Sequence, residues 1–260
     1  MKGAIIGDII GARYKSDNTS EYDYELLGSG CDYTAGSICT VAVADAVLRD
    51  RGYAEALRVW CRRYPHPMGE YDSCFLNWVM RPDPYPYSSF GNGPAMRVSP
   101  IAWLYDSEDD VRLQAEASAA VTHSHPEGIK GAVAIAVAIL RMRQAPVKDP
   151  YIFETVANEF YYDEYSMSDA FENLPERGCF DLTCQGCVPL SLYLAAVSSS
   201  FEDAIRQTVS YGGGSGTVGV IVGALAEARF HIPPDLSAAM SYLPAEMHHV
   251  IAAFDARLDR

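Results

Sequence analysis

Val218-Gly219-Val220-Ile221-Val222-Gly223-Ala224-Leu225 is the stretch whose reading decides the fold. It is uncharged, small-and-apolar, and echoed by Gly131-Ala132-Val133-Ala134-Ile135-Ala136-Val137-Ala138. Both runs are apolar on every side yet too short to span a bilayer, which is the profile of a buried central element. A buried strand competes with a helix on periodicity alone. The length of the surrounding segments, 127–143 and 218–228, favours helix. Their Ala and Gly residues would let neighbouring helices approach closely.

Working outward, residues 36–49 place Ile38, Val41, Ala42, Asp45 and Leu48 at three- and four-residue spacing. Residues 53–63 do the same with Ala54, Leu57, Trp60 and Cys61, so both segments read as amphipathic helices. Ser124 stands three residues before Glu127 with Pro126 between them, a helix-start pattern. Ser199 precedes Glu202 at the same spacing, and Pro189 falls early in a helical segment over 186–198, where proline is tolerated. Strand signals are poor. Residues 64–100, with Pro65, Pro67, Pro82, Pro84, Pro86, Pro94 and Pro100, read as one long irregular connection. The expectation is an all-α fold, compact and single-domain over residues 1–260.

Composition agrees with a globular chain: 49% hydrophobic and 21% charged residues, with formal net charge −14. So acidic a surface, with no Lys/Arg cluster, argues against nucleic acid and anionic membranes as partners. A nucleotide could still be held through backbone N–H groups. Seven scattered Cys do not make a disulfide framework and read as mostly buried thiols. Cys184-Gln185-Gly186-Cys187 lacks a second pair at zinc spacing. Asp8 and Arg13 interrupt the apolar N-terminus too early for a signal peptide, and no span-length apolar run follows, so the expected compartment is the cytoplasm.

Four segments carry chemistry. They are Gly3-Ala4-Ile5-Ile6-Gly7-Asp8-Ile9-Ile10-Gly11-Ala12-Arg13-Tyr14, and Tyr33-Thr34 through Thr40-Val41-Ala42-Val43-Ala44-Asp45-Ala46. Next come Gly91-Asn92-Gly93-Pro94-Ala95-Met96-Arg97 with Thr122-His123-Ser124-His125-Pro126-Glu127-Gly128, then Tyr211-Gly212-Gly213-Gly214-Ser215-Gly216-Thr217. In this order and spacing the chain resembles the bacterial ADP-ribosylglycohydrolases, the group that includes the dinitrogenase reductase-activating enzyme. The resemblance implies a compact helical fold. It also implies a cleft with two Mg²⁺ ions beside ADP-ribose, where the metals polarise ribose hydroxyls and activate water.

The departures fall on the expected metal ligands. Where the family has Thr-Asp-Asp-Thr, this chain has Thr34-Ala35-Gly36-Ser37. Where the family has Gly-Gly-Asp-(Ser/Thr)-Asp-Thr, it has Gly212-Gly213-Gly214-Ser215-Gly216-Thr217. The metal-binding carboxylates thus map to Ala35, Gly36, Gly214 and Gly216, and a further family Glu maps to Lys15. Neutral hydroxyls do not offset the cost of dehydrating Mg²⁺, so the expected cofactor is none. The ligand-contacting positions implied by the resemblance are better kept: Thr34, Ser37, Gly91, Asn92, Gly93, His123, Gly213, Ser215 and Thr217.

The resulting expectation is a catalytically degenerate member that binds ADP-ribose, an ADP-ribosylated protein, or a related anion. An active hydrolase would need an altered mechanism, with Asp8, Asp32 and Glu127 the nearest acids. A structural role for the bare fold is the third reading, a route the family has taken in lens crystallins. Several residues also have plain readings. Asp8 reads as a cap or hydrogen-bonded structural residue. His123 and His125 read as helix-start residues rather than zinc ligands, Tyr85 and Tyr87 as core seals as readily as adenine platforms, and Lys15 as a surface lysine as readily as a site cation.

Overall fold

The computed structural model describes residues 1–15, 18–162 and 168–259. In chain order the helices are α1 (Lys2–Arg13), α2 (Ala35–Leu48), α3 (Tyr53–Arg63), α4 (Ser73–Met80), α5 (Gly93–Arg97), α6 (Ser99–Leu104) and α7 (Glu108–Ala120). They continue with α8 (Pro126–Gln144), α9 (Tyr151–Tyr161), α10 (Cys184–Val197), α11 (Phe201–Tyr211), α12 (Ser215–Arg229) and α13 (Ala245–Leu258). A 3-10 helix over Leu236–Tyr242 precedes α13, and only isolated β-bridges occur among the described residues. The fold is all-α, as the periodicity indicates.

The two small-and-apolar runs lie in α12 and α8, and both helices are central. α8 packs against α5, α6, α7, α9, α10 and α12; α12 packs against α1, α8, α10 and α11. No helix among the described residues is long and apolar enough to cross a membrane. Five Cys are buried, Cys74 and Cys179 are exposed, and none forms a disulfide.

The closest packing joins the first helix to one near the C-terminal end. Gly3, Gly7 and Gly11 face Gly223, Gly219 and Ser215 in antiparallel register. A Cβ placed on Gly7 would stand 1.9 Å from the Gly219 carbonyl oxygen, and one on Gly223 2.1 Å from that of Gly3. Interior helical glycine ordinarily costs about 1 kcal/mol relative to alanine. Here its missing side chain is what lets the backbones touch. The Glu227 carboxylate of α12 then caps α1, accepting from Lys2 N (3.1 Å) and Gly3 N (3.0 Å).

Several start signals lie elsewhere than the sequence indicates. His125, not Ser124, caps α8, because its ring Nδ1 accepts from Glu127 N at 3.2 Å. Ser200, not Ser199, caps α11 by accepting from Asp203 N at 3.0 Å; Ser199 instead donates to the Asp203 carboxylate. Pro189 sits inside α10 rather than in its first turn, since Thr183 caps a helix that begins at Cys184. The 64–100 segment is also more ordered than its prolines suggest. It contains α4 and α5 and runs into α6, with Pro94 and Pro100 in first turns, where the missing N–H costs no hydrogen bond.

Gly7→Ala is expected to destabilise the protein by at least about 2 kcal/mol, because the added methyl meets a backbone carbonyl rather than a movable side chain. Gly52→Ala, where nothing lies within 4 Å of the added atom, should cost under about 1 kcal/mol, because alanine is a poorer cap than glycine but loses less chain entropy on folding. Urea unfolding midpoints of the two variants check this.

Candidate functional site

Asp8 sits midway along α1 and is fully buried. Its side chain crosses to the N-terminus of α2. It accepts from Thr34 N (2.9 Å), Ser37 N (2.9 Å), Ser37 Oγ (2.6 Å) and the Thr34 hydroxyl. Thr34 Oγ1 in turn accepts from Gly36 N at 3.0 Å as the helix cap. Burial pushes the Asp8 carboxyl pKa up, while the four donors pull it down. The geometry requires an acceptor for all four, and a helix N-terminus favours negative charge. Asp8 is thus the structural, capping residue that its sequence setting suggests, and its oxygens are taken.

The Gly212–Thr217 segment forms the entry to α12. Gly212 (φ +83°) and Gly213 (φ +71°) occupy the left-handed region, and Gly214 starts the helix with no side-chain cap. The first-turn N–H groups of α12 therefore have no intrahelical acceptor. Ser215 is fully buried and its hydroxyl donates to Gly11 O at 3.2 Å. Thr217 is half-buried. The backbone that closely approaches Gly213 is the chain's own: a Cβ there would lie 2.1 Å from Cys179 O. Gly178 N donates to Tyr211 O at 2.8 Å, and Leu182 Cδ2 would lie 2.9 Å from a Cβ on Gly214.

The same 178–184 segment joins the second glycine loop. Asn92 N donates to Leu182 O (3.0 Å) and Cys184 N to Phe90 O (2.8 Å). The amide of buried Asn92 has no oxygen acceptor for its Nδ2 among the described residues and lies against the Cys187 thiol. Phe90, Phe180 and Leu182 are exposed, so both glycine loops share an apolar rim. Cys184 and Cys187 lie buried in the first turn of α10.

His123 is buried beside Gly91 and Gly93, its ring stacked at a tilt on Tyr87 with centroids 5.0 Å apart. Burial, then the positive charge of Arg97, push His123 down to about 3. The imidazole is therefore neutral at physiological pH. Tyr85 lies exposed under the Arg81 guanidinium. Asp32 is exposed, and Glu127 pairs with Lys130 at 2.8 Å. Lys15 is exposed and reaches over Gly69, whose neighbour Met68 pairs with Thr34.

These residues do not fit a Mg²⁺ pair. Such ions need hard, largely anionic oxygen ligands. Thr34, Ser37 and Ser215 direct their hydroxyls to Asp8 and Gly11, and among the described residues no three His, Cys, Asp or Glu side chains come together to hold a metal. Position 36 is also closed: a Cβ there would stand 2.7 Å from Val220 Cγ2 and 2.8 Å from Asp8 Oδ1. Position 216 remains open, its nearest contact being 3.6 Å from Ala12 Cα.

The two glycine loops, joined through the 178–184 segment, sit in an all-helical frame. A solved structure titled ADP-ribosylglycohydrolase-related protein complex shares it, with TM-score 0.75 at 21% identity over 98% of this chain and 95% of that one. The ADP-ribosylglycohydrolase family model matches residues 1–258, and the chain belongs to that family. It is 32% identical over 157 residues to an uncharacterized protein of Archaeoglobus fulgidus, covering 54% of this chain and 50% of that protein. It is 34% identical over 94 residues to ADP-ribosylhydrolase ARH3 of Gallus gallus, covering 34% and 26% respectively. The chain thus spans half or less of these curated relatives.

Arg97 and Thr122, quoted in the sequence segments without a role, meet at His123 in the structure. The 178–183 strap has no glycine or carboxylate pattern that would single it out. Asp8→Asn should cost about 2–3 kcal/mol, because an amide nitrogen would then face N–H and O–H donors; chemical denaturation measures this. His123 should show no titration between pH 5 and 8 by NMR. Its depressed folded-state value contributes stability present above about pH 6.5 and lost as pH falls toward 3, because the unfolded chain takes up a proton that the folded chain refuses.

Proposed function

We propose that this chain is a metal-free family member that binds ADP-ribose, free or on a protein, or a related anion, and has lost hydrolysis. The observation that carries this reading is the donor set. Ala35, Gly36, Gly214 and Gly216 stand at the four expected carboxylates, and the neighbouring hydroxyls donate to Asp8 and Gly11. Without metal, nothing at these positions supplies a Lewis acid or an activated water. Features suited to an anion persist. α12 begins without a side-chain cap, and a helix N-terminus favours negative charge. The exposed rings of Phe90 and Phe180 offer an apolar face for a base.

A thermal-shift titration with ADP-ribose, run with and without millimolar Mg²⁺, tests this. A ligand at one hundred times its Kd raises stability by about 2.7 kcal/mol. The expected result is stabilisation by ADP-ribose that ignores Mg²⁺, with no ADP-ribose released from modified Arg or Ser peptides. Mg²⁺-dependent stabilisation or peptide turnover would return the protein to the hydrolases. No stabilisation in either condition would favour a structural role.

A further inference from the structure

Arg97 is 1% exposed and has no carboxylate among its hydrogen-bond partners. A buried guanidinium without a counter-ion is costly, so its contacts need a reason. One amino nitrogen donates to Ser118 O at 2.7 Å and to Thr122 Oγ1 at 2.8 Å. Thr122 Oγ1 stands 2.8 Å from His123 Nδ1 and 3.3 Å from Ala119 O. The Ala119 carbonyl already accepts Thr122 N at 3.1 Å and His123 N at 3.0 Å. Its lone pairs are filled by those two bonds. The threonine proton therefore goes to the nearer, free acceptor, Nδ1. An imidazole whose Nδ1 accepts carries its proton on Nε2. Nε2 is the ring nitrogen beside the Gly91 loop, 3.8 Å from where a Gly91 Cβ would stand, and the ring Cε1 lies 3.7 Å from that of Gly93.

We infer that Arg97, acting through Thr122, is a positioning residue that fixes His123 as its Nε2–H tautomer, a hydrogen-bond donor presented at the Gly91–Gly93 loop. The group taken there is an oxygen acceptor such as a phosphate or sugar oxygen, and this ligand assignment rests on the binding function proposed above. The buried guanidinium polarises the relay from behind. Tyr87 and Gly128 hold the ring plane, the latter so closely that a Cβ there would lie 3.1 Å from His123 Cδ2. The reversed relay, with Nδ1–H donating to Thr122 and Thr122 donating to Ala119, would leave Nε2 an acceptor and suit a ligand hydroxyl or amine instead.

The test uses full-length protein carrying ¹⁵N-labelled histidine and long-range ¹H–¹⁵N spectra at pH 7, alongside ADP-ribose calorimetry. Thr122→Val keeps the shape and removes the relay; Thr122→Ser restores it. The expected result is an Nε2–H tautomer for His123 in the wild type and in Thr122→Ser. In Thr122→Val the Nδ1 resonance should move to the position of a ring nitrogen that accepts no hydrogen bond, and ADP-ribose affinity should fall about tenfold, the size of one charge-assisted hydrogen bond. A wild-type Nδ1–H tautomer, or an Nδ1 resonance unchanged in Thr122→Val, would overturn the relay. An intact relay in a protein that binds no ADP-ribose would sustain the positioning role and sink the proposed ligand alone.

Discussion

The contact on which the rest of the structure depends is the backbone-to-backbone seam between α1 and α12. Three glycines spaced four apart on one helix meet two glycines and a serine on the other, at distances no Cβ would permit. The seam joins the first helix to one more than two hundred residues later, and the Asp8 and α12 side of the candidate site hangs from it. Asp8 projects from the middle of α1 to cap α2. Ser215 ties the start of α12 to the Gly11 carbonyl. Val220, one position beyond the seam glycine Gly219, fills the space beside Gly36. Moving either helix by an ångström would move all three.

The same geometry closes one of the positions at which the resemblance places a carboxylate. At position 36 the direction a side chain would take is filled by a Val220 methyl and an Asp8 oxygen, so that position is sealed by packing, whereas position 216 stays open. The hydroxyls that remain are donors to buried acceptors. Opposite them, the glycine loops are bridged by the chain's own 178–184 strap, which leaves an apolar rim and one neutral imidazole as the chemistry on offer.

Much of the frame was legible in the sequence. The all-small runs of α8 and α12 announced buried central helices, and the spacing in α3 matched its amphipathic face; α2, read as amphipathic too, is instead buried on all sides from Gly36 to Ala46. Where the reading went astray, a local signal had two structural outlets. Prolines at 94 and 100 open helices as readily as they end them, and only tertiary packing chooses. Ser199 and Ser200 are both competent caps, and the choice rests on where Asp203 falls. α1 went unread as a helix because its three glycines look helix-breaking until a partner helix needs their absent side chains. Ala35, Gly36, Gly214 and Gly216 stand in the sequence itself. The strap and the Arg97–Thr122–His123 chain could not be read there, because both depend on contacts between residues far apart in sequence.

We propose that this family member, with its glycine seam and glycine loops, has no place for divalent metal. Mn²⁺, which takes the same oxygen ligands as Mg²⁺ and is visible by electron paramagnetic resonance, tests it directly. Titrating Mn²⁺ into micromolar protein, with and without ADP-ribose, should leave the free-ion signal the same as in matched samples that lack the protein. A stoichiometric loss of that signal at micromolar Mn²⁺ would show a metal site among these residues and contradict the account.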